Sequence, residues 1–201
     1  MRIPVAPEGW PLILIPAGVA CGLWMVGWSV PAAILMAIAL GCLFFFRDPE
    51  RIAPSLPGAI VAPADGRVMA VQEMVDPFVG EGVRISIFLS PLDVHVNRSP
   101  IGGLVTEVEY RPGRFLAAYR ASASDANERC TLHLQGEAAR VAVTQIAGVL
   151  ARRIVCRVRP GDKLERGERF GLICFGSRTD LVVPRDAELR VRPGERVRGG
   201  E

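Results

Sequence analysis

Between residues 9 and 46 the chain has no Asp, Glu, Lys, Arg or His, a run of 38 positions without a charged side chain. Other absences narrow the chemistry. There are only two histidines, His95 and His133, so a His-rich zinc site is excluded and no metal is expected. The five cysteines, Cys21, Cys42, Cys130, Cys156 and Cys174, never fall in C-x-x-C spacing. They read as buried thiols of a reduced compartment, not as a disulfide framework. Lys163 is the single lysine among 24 Lys and Arg residues. Arginine suits carboxylate and phosphate recognition through its planar fork, although a compositional bias would give the same count. The net charge of +3 is too mild to call for a nucleic-acid partner. Neither a P-loop nor a dinucleotide-binding glycine fingerprint is present.

The uncharged run is too long for one membrane span. As a single helix it would reach about 57 Å at roughly 1.5 Å per residue, against a hydrocarbon core of about 30 Å. It divides at Ser29-Val30-Pro31 into residues 11–28 and 30–46, so a two-helix hairpin is expected over residues 1–46. Arg2 precedes the run, and Arg47 and Arg51 follow it, which places both ends on the cytoplasmic side of the cell's inner membrane. Trp10, Trp24 and Trp28 suit the interfaces. A signal peptide would have a core of roughly 7–15 apolar residues and then a polar cleavage region, whereas here a second apolar run follows at once. Full crossing and deep insertion without crossing both remain open.

Residues 47–201 read as a separate, mainly β domain. Short β-branched runs fall at 60–61, 67–71, 84–88, 93–97, 103–110, 129–134, 139–146, 154–158, 169–174 and 180–183. Turn residues separate them, and the polar stretch 122–129 reads as a loop. This argues a β-barrel or sandwich. A repeat supports it: residues 157–168 match residues 190–201 at seven of twelve positions. The repeated unit is a strand, a Pro-Gly turn, an apolar anchor and Gly-Glu. It resembles the turns of lipoyl- and biotinyl-type β domains, as does the opening Ala62-Pro63-Ala64-Asp65-Gly66-Arg67-Val68. Together they indicate a barrel-sandwich-hybrid-like architecture, and only weakly a function.

Three segments could carry chemistry. Asp65 precedes Gly66, a pairing that turns also favour on structural grounds. Asp93, His95 and Asn97 alternate within Asp93-Val94-His95-Val96-Asn97-Arg98-Ser99-Pro100 and would share one face of a strand. A histidine so flanked is a candidate base held in one tautomer. His133 has no such neighbours and reads as structural. Gly176-Ser177 lies between two strand runs, where a tight hairpin turn is the simplest reading.

Taken together the segments are specific. Phe44-Phe45-Phe46-Arg47-Asp48-Pro49-Glu50-Arg51, Ala62-Pro63-Ala64-Asp65-Gly66, the 93–100 segment, Asn127-Glu128-Arg129 and Phe175-Gly176-Ser177 occur in that order. In this the chain resembles the phosphatidylserine decarboxylase family in its short bacterial and archaeal form. The resemblance implies a proenzyme that cuts itself at Gly176–Ser177 by serinolysis, giving chains 1–176 and 177–201 that stay together as a heterodimer, open to further oligomerisation. It implies that Ser177 becomes a pyruvoyl group, a built-in cofactor that forms a Schiff base with a serine phospholipid and releases CO₂, leaving phosphatidylethanolamine. Diacyl and ether-linked lipids both fit.

By the same resemblance Ser177, His95 and Asp65 are the catalytic set. Longer relatives carry a second histidine where this chain has Arg98, and arginine cannot act as a base at ordinary pH. Either His95, oriented by Asp65 or Asp93, serves both cleavage and decarboxylation, or Asp65 acts more directly. Asp93, Asn97 and Arg98 are candidates for support or for contact with the substrate's carboxylate or phosphate. The competing readings are a membrane-tethered lipoyl- or biotinyl-like carrier, a phosphocarrier on His95, and a structural membrane protein with a β head. A carrier needs a lysine at a hairpin tip, and Lys163 sits inside the 161–167 turn.

Overall fold

The computed structural model describes residues 4–116, 126–148, 153–174 and 177–201. It forms two compact units, Met1–Glu50 and Arg51–Glu201. In the first, a short 3-10 turn at Pro7–Gly9 leads into α1 (Trp10–Met25) and α2 (Ser29–Phe45). Gly27 makes the link between them at φ 84°, a left-handed backbone that favours glycine. Leu14, Ile15, Trp24, Met25, Val30, Ile34 and Leu40 each leave more than half of their surface uncovered. Helices this apolar on every face are not stable against water, so this is a membrane-associating segment. The stretch Pro7–Met25 is long and apolar enough to cross a bilayer, whereas Ser29–Phe45 is shorter.

The second unit is mainly β, as the sequence indicates. An eight-stranded sheet runs β11-β1-β2-β10-β6-β5-β4-β8. Its members are β1 (Gly66–Asp76), β2 (Gly80–Leu89), β4 (Gly103–Arg111), β5 (Arg129–Gln135), β6 (Arg140–Ile146), β8 (Lys163–Leu164), β10 (Ser177–Pro184) and β11 (Arg196–Val197). A second sheet, β3-β9-β7, holds β3 (Val96–Arg98), β9 (Arg169–Ile173) and β7 (Ile154–Cys156). The alternating apolar residues of these strands meet in one core, with Leu89, Val105, Leu134, Val143 and Phe170 fully buried.

The repeat found in the sequence proves to be half of a larger one. The Val105 amide donates to the Asp162 carbonyl and the Gly161 amide to the Val105 carbonyl; the Val68 amide donates to the Glu195 carbonyl and the Gly194 amide to the Val68 carbonyl. Ser99 exchanges the same pair of bonds with Glu168 and Gly167, and Ala62 with Glu201 and Gly200. Residues 62–68 and 99–105 are therefore equivalent, each gripped by one copy of the repeat. Their sequences, APADGRV and SPIGGLV, share Pro, Gly and Val in register. The large sheet accordingly reads as mirrored halves, β11-β1-β2-β10 and β8-β4-β5-β6, that meet at β10 and β6.

Several strands differ from expectation. Residues 60–61 are not a strand, although the Val61 amide bonds Pro100. Asp93 and His95 precede β3 instead of lying within it, because Ser90–Asp93 is a turn closed by the Asp93 amide on the Ser90 carbonyl. The strand expected over residues 180–183 starts three residues earlier, at Ser177. β9 and β10 belong to different sheets and do not pair with each other as the arms of a hairpin would. Phe175, Gly176 and residues 122–125 of the 122–129 stretch lie outside the described residues.

Candidate active site

Ser177 is the first residue of β10 and pairs with Leu89 at the end of β2. Its alternation with Thr179 and Leu181 points it to the core face of the sheet, opposite Leu89, Ile87 and Ile85. It is fully buried, and its Oγ has no hydrogen-bond partner among the described residues. A hydroxyl in that condition is costly unless it has chemical work, because its desolvation is uncompensated. The segment taken by itself suggests a hairpin, but β9 and β10 lie in different sheets and do not pair with each other.

His95 is 2% exposed and lies just ahead of β3. Its carbonyl accepts from the amide of Ile173, the last residue of β9. That contact fixes the loop bearing the histidine to the strand that runs on toward Ser177. Nδ1 sits 2.9 Å from the Asp93 carbonyl oxygen. A carbonyl only accepts, so Nδ1 carries the proton, and in the neutral ring the basic lone pair is on Nε2.

The carboxylates are placed differently from a simple relay. Asp93 accepts from the Ser90 amide through Oδ2 at 2.8 Å and faces Arg196 at 3.5 Å through Oδ1. It is thus the main chain of Asp93 that holds His95, while its side chain holds the turn. Asp65 accepts both terminal nitrogens of Arg51 at 2.8 Å and the Gly199 amide at 2.9 Å. Arg51 also donates to the Gly199 carbonyl. This bidentate pair is largely buried and ties the segment before β1 to the last residues of the chain.

Asn97 is fully buried and bridges the two sheets. Its Nδ2 donates to Thr179 Oγ1 at 3.2 Å, and its Oδ1 accepts from Gln145 Nε2 at 2.9 Å. Arg98 donates to the Gly167 carbonyl at 3.0 Å, and its stem lies against Gly200. His133 lies apart, stacked on Phe78 and facing Glu107 across β4 and β5. Lys163 pairs in register with Leu104 in β8, away from any hairpin tip.

One end of the large sheet therefore gathers the start of β1, the end of β2, the start of β10 and β11. Asp65, Gly66, Asp93, Arg196, Val197 and Arg198 line a cavity of about 450 Å³ there. Gly66 pairs with Val197 and lies two strands from Ser177, about 10 Å at ordinary interstrand spacing. A second cavity of about 690 Å³ lies over Gly102, Gly103, Lys163 and Leu164. These are the mirror positions of Asp65, Gly66, Arg196 and Val197. At that equivalent turn a glycine, Gly102, stands where Asp65 stands. The turn itself therefore does not require an aspartate.

Sequence reasoning used Arg51 only as a basic flank of the apolar run and within a motif; its separation of 14 positions from Asp65 hides the pairing. It also missed Gln145 and the buried Arg178–Asp180 pair, joined at 2.6 and 3.0 Å with Ser86 on the same guanidinium at 2.7 Å. The pattern Arg-Thr-Asp directly after Ser177 was the available signal. Among the described residues no group of three or more His, Cys, Asp and Glu side chains could hold a metal ion.

Comparison with known proteins bears on this arrangement. A sequence model of the family described as phosphatidylserine decarboxylase matches residues 38–201. A phosphatidylserine decarboxylase proenzyme of Symbiobacterium thermophilum is 50% identical, covering 100% of this chain and 95% of the relative. A protein of the same name from Magnetococcus marinus is 48% identical over 98% of this chain and 92% of its own. One from Oleidesulfovibrio alaskensis is 44% identical over 98% and 91%.

Proposed function

The chain belongs to the phosphatidylserine decarboxylase family, and from that premise we propose that it is a self-cleaving proenzyme whose Ser177 becomes a pyruvoyl group acting on a serine phospholipid. The observation that carries this reading is the fully buried Ser177 hydroxyl, which has no hydrogen-bond partner among the described residues, one residue after Gly176.

The cleavage chemistry follows from that position. Ser177 Oγ attacks the carbonyl carbon of residue 176, and the acyl group moves from nitrogen to oxygen. Loss of the Ser177 α-proton expels the new carboxylate of residue 176. The enamine left behind takes up water and releases ammonia, leaving a ketone at the head of the chain 177–201.

His95 Nε2 is the group we assign to take the hydroxyl proton, because the Asp93 carbonyl holds the other ring nitrogen protonated. Arg98 cannot replace a second base, and its guanidinium is turned to Gly167. Asp65, neutralised by Arg51, anchors the end of the chain that forms the cavity. Asn97 and Thr179 position the strand that starts with Ser177. The pyruvoyl carbonyl would supply an electron sink for the pair released as CO₂ departs.

The two pieces stay paired in this reading. β10 is hydrogen-bonded to β2 on one side and β6 on the other, and β11 is bonded to β1. The apolar helices keep the site at the lipid surface, with Arg47 favouring the cytoplasmic face.

Intact mass spectrometry of the purified protein tests the proposal. Two species, 1–176 and a ketone-headed 177–201 reducible by borohydride, are expected, and Ser177→Ala should give one uncut, inactive chain. An active wild-type protein made of one unbroken polypeptide would overturn it.

A further inference from the structure

Two cysteines distant in sequence meet between the sheets. Cys130 is the second residue of β5, and Cys156 ends β7. Register places Cys130 beside Gln145, whose Nε2 reaches over to the Val155 carbonyl. That face of the large sheet therefore looks onto β7, where Cys156 packs against the core and its thiol comes within interacting range of the Cys130 thiol. Cys130 is 4% exposed, whereas Cys156 is only partly covered. The arrangement is asymmetric, with Cys156 the more exposed residue of the two.

We propose that Cys130 and Cys156 form a thiol–disulfide exchange site, with Cys156 attacking and Cys130 resolving, that takes a small disulfide such as oxidised glutathione as its oxidant. The Cys156 thiolate attacks one sulfur of the oxidant, forming a mixed disulfide and releasing one thiolate. Cys130 then loses its proton and attacks the Cys156 sulfur, forming the Cys130–Cys156 bond and releasing the second thiol. Two electrons pass from the pair to the oxidant, and two molecules of reduced thiol leave.

The local electrostatics assign the same roles. The neighbouring Cys130 thiol favours the Cys156 thiolate and holds it below the ordinary thiol range, with burial opposing. The same pairing, with burial, pushes Cys130 well up. Closing the bridge would join the large sheet to the small sheet that carries Asn97, alongside Gln145. Both cysteines precede residue 176, so the inference is independent of the cleavage reading.

The test uses the full-length protein in detergent, exposed to oxidised glutathione, quenched in acid, unfolded, alkylated and mapped by peptide mass. A crosslinked 130–156 peptide, lighter by two hydrogen atoms and reversed by dithiothreitol, is expected, with Cys21, Cys42 and Cys174 alkylated. Cys130→Ser should stop at glutathione on Cys156, and Cys156→Ser should leave Cys130 alkylated. The proposal is overturned if both cysteines of the wild type are alkylated after exposure to excess oxidant, or if either bridges to a different cysteine.

Discussion

At the scale of single residues, His95 and Ser177 show different degrees of legibility. His95 stands out in the sequence because it is one of two histidines and is flanked by Asp and Asn. What holds it was not legible, because the Asp93 contribution is a main-chain carbonyl that any residue would offer. Ser177 was legible only through the ordered motifs; its burial depends on β2, which ends 88 positions earlier, at Leu89. His95→Gln keeps a similar volume and removes the base. Cleavage at 176–177 should slow at least ~100-fold, as loss of a general base does. A time course of fragment appearance after cell-free synthesis checks this. Normal cleavage followed by no decarboxylation would move the base to Asp65 and leave His95 to the later step.

At the scale of elements, the repeat explains what the sequence pattern could and could not reveal. The 157–168 and 190–201 copies are recognisable because Pro, Gly and Glu recur at fixed spacing. The copies they grip, 62–68 and 99–105, share only Pro, Gly and Val, so hydrogen bonding was needed to find them. The two-residue strands β8 and β11 were illegible because two residues carry no periodicity. The 3-residue β3 was misjudged by length, since the Ser90–Asp93 turn breaks the alternation.

The mirror turn also yields a prediction. Asp65→Gly reproduces the sequence at Gly102, so the turn itself should form. The loss falls on Arg51, which keeps its bond to the Gly199 carbonyl, and should cost about 3 kcal/mol as for one half of a buried pair. A folded but poorly cleaved protein, with a lowered Tm in calorimetry, is expected. Arg51→Met with Asp65→Gly should recover most of the stability without recovering cleavage.

At the scale of the molecule, the two units answer to different solvents. The β unit has its own core, and the helices expose apolar side chains on all sides. Removing residues 1–46 should therefore leave a folded protein that no longer sediments with vesicles but still cuts itself. Flotation with lipid vesicles, followed by mass analysis, reads both outcomes at once. The division read from the sequence at residue 46 rests on charge absence over 38 positions and falls four residues before the end of the first compact unit at Glu50.

The central place of β10 has a consequence for the life of the processed protein. Pulling 177–201 away would bare the flanks of β2 and β6 together, two unpaired rows of amide and carbonyl groups in the middle of a sheet. Reassembly would then be bimolecular, in competition with self-association of those flanks. Unfolding in urea should be reversible for the uncut Ser177→Ala chain. Once the backbone is severed it should become effectively one-way on dilution, so maturation would trade the capacity to refold for the reactive group it creates.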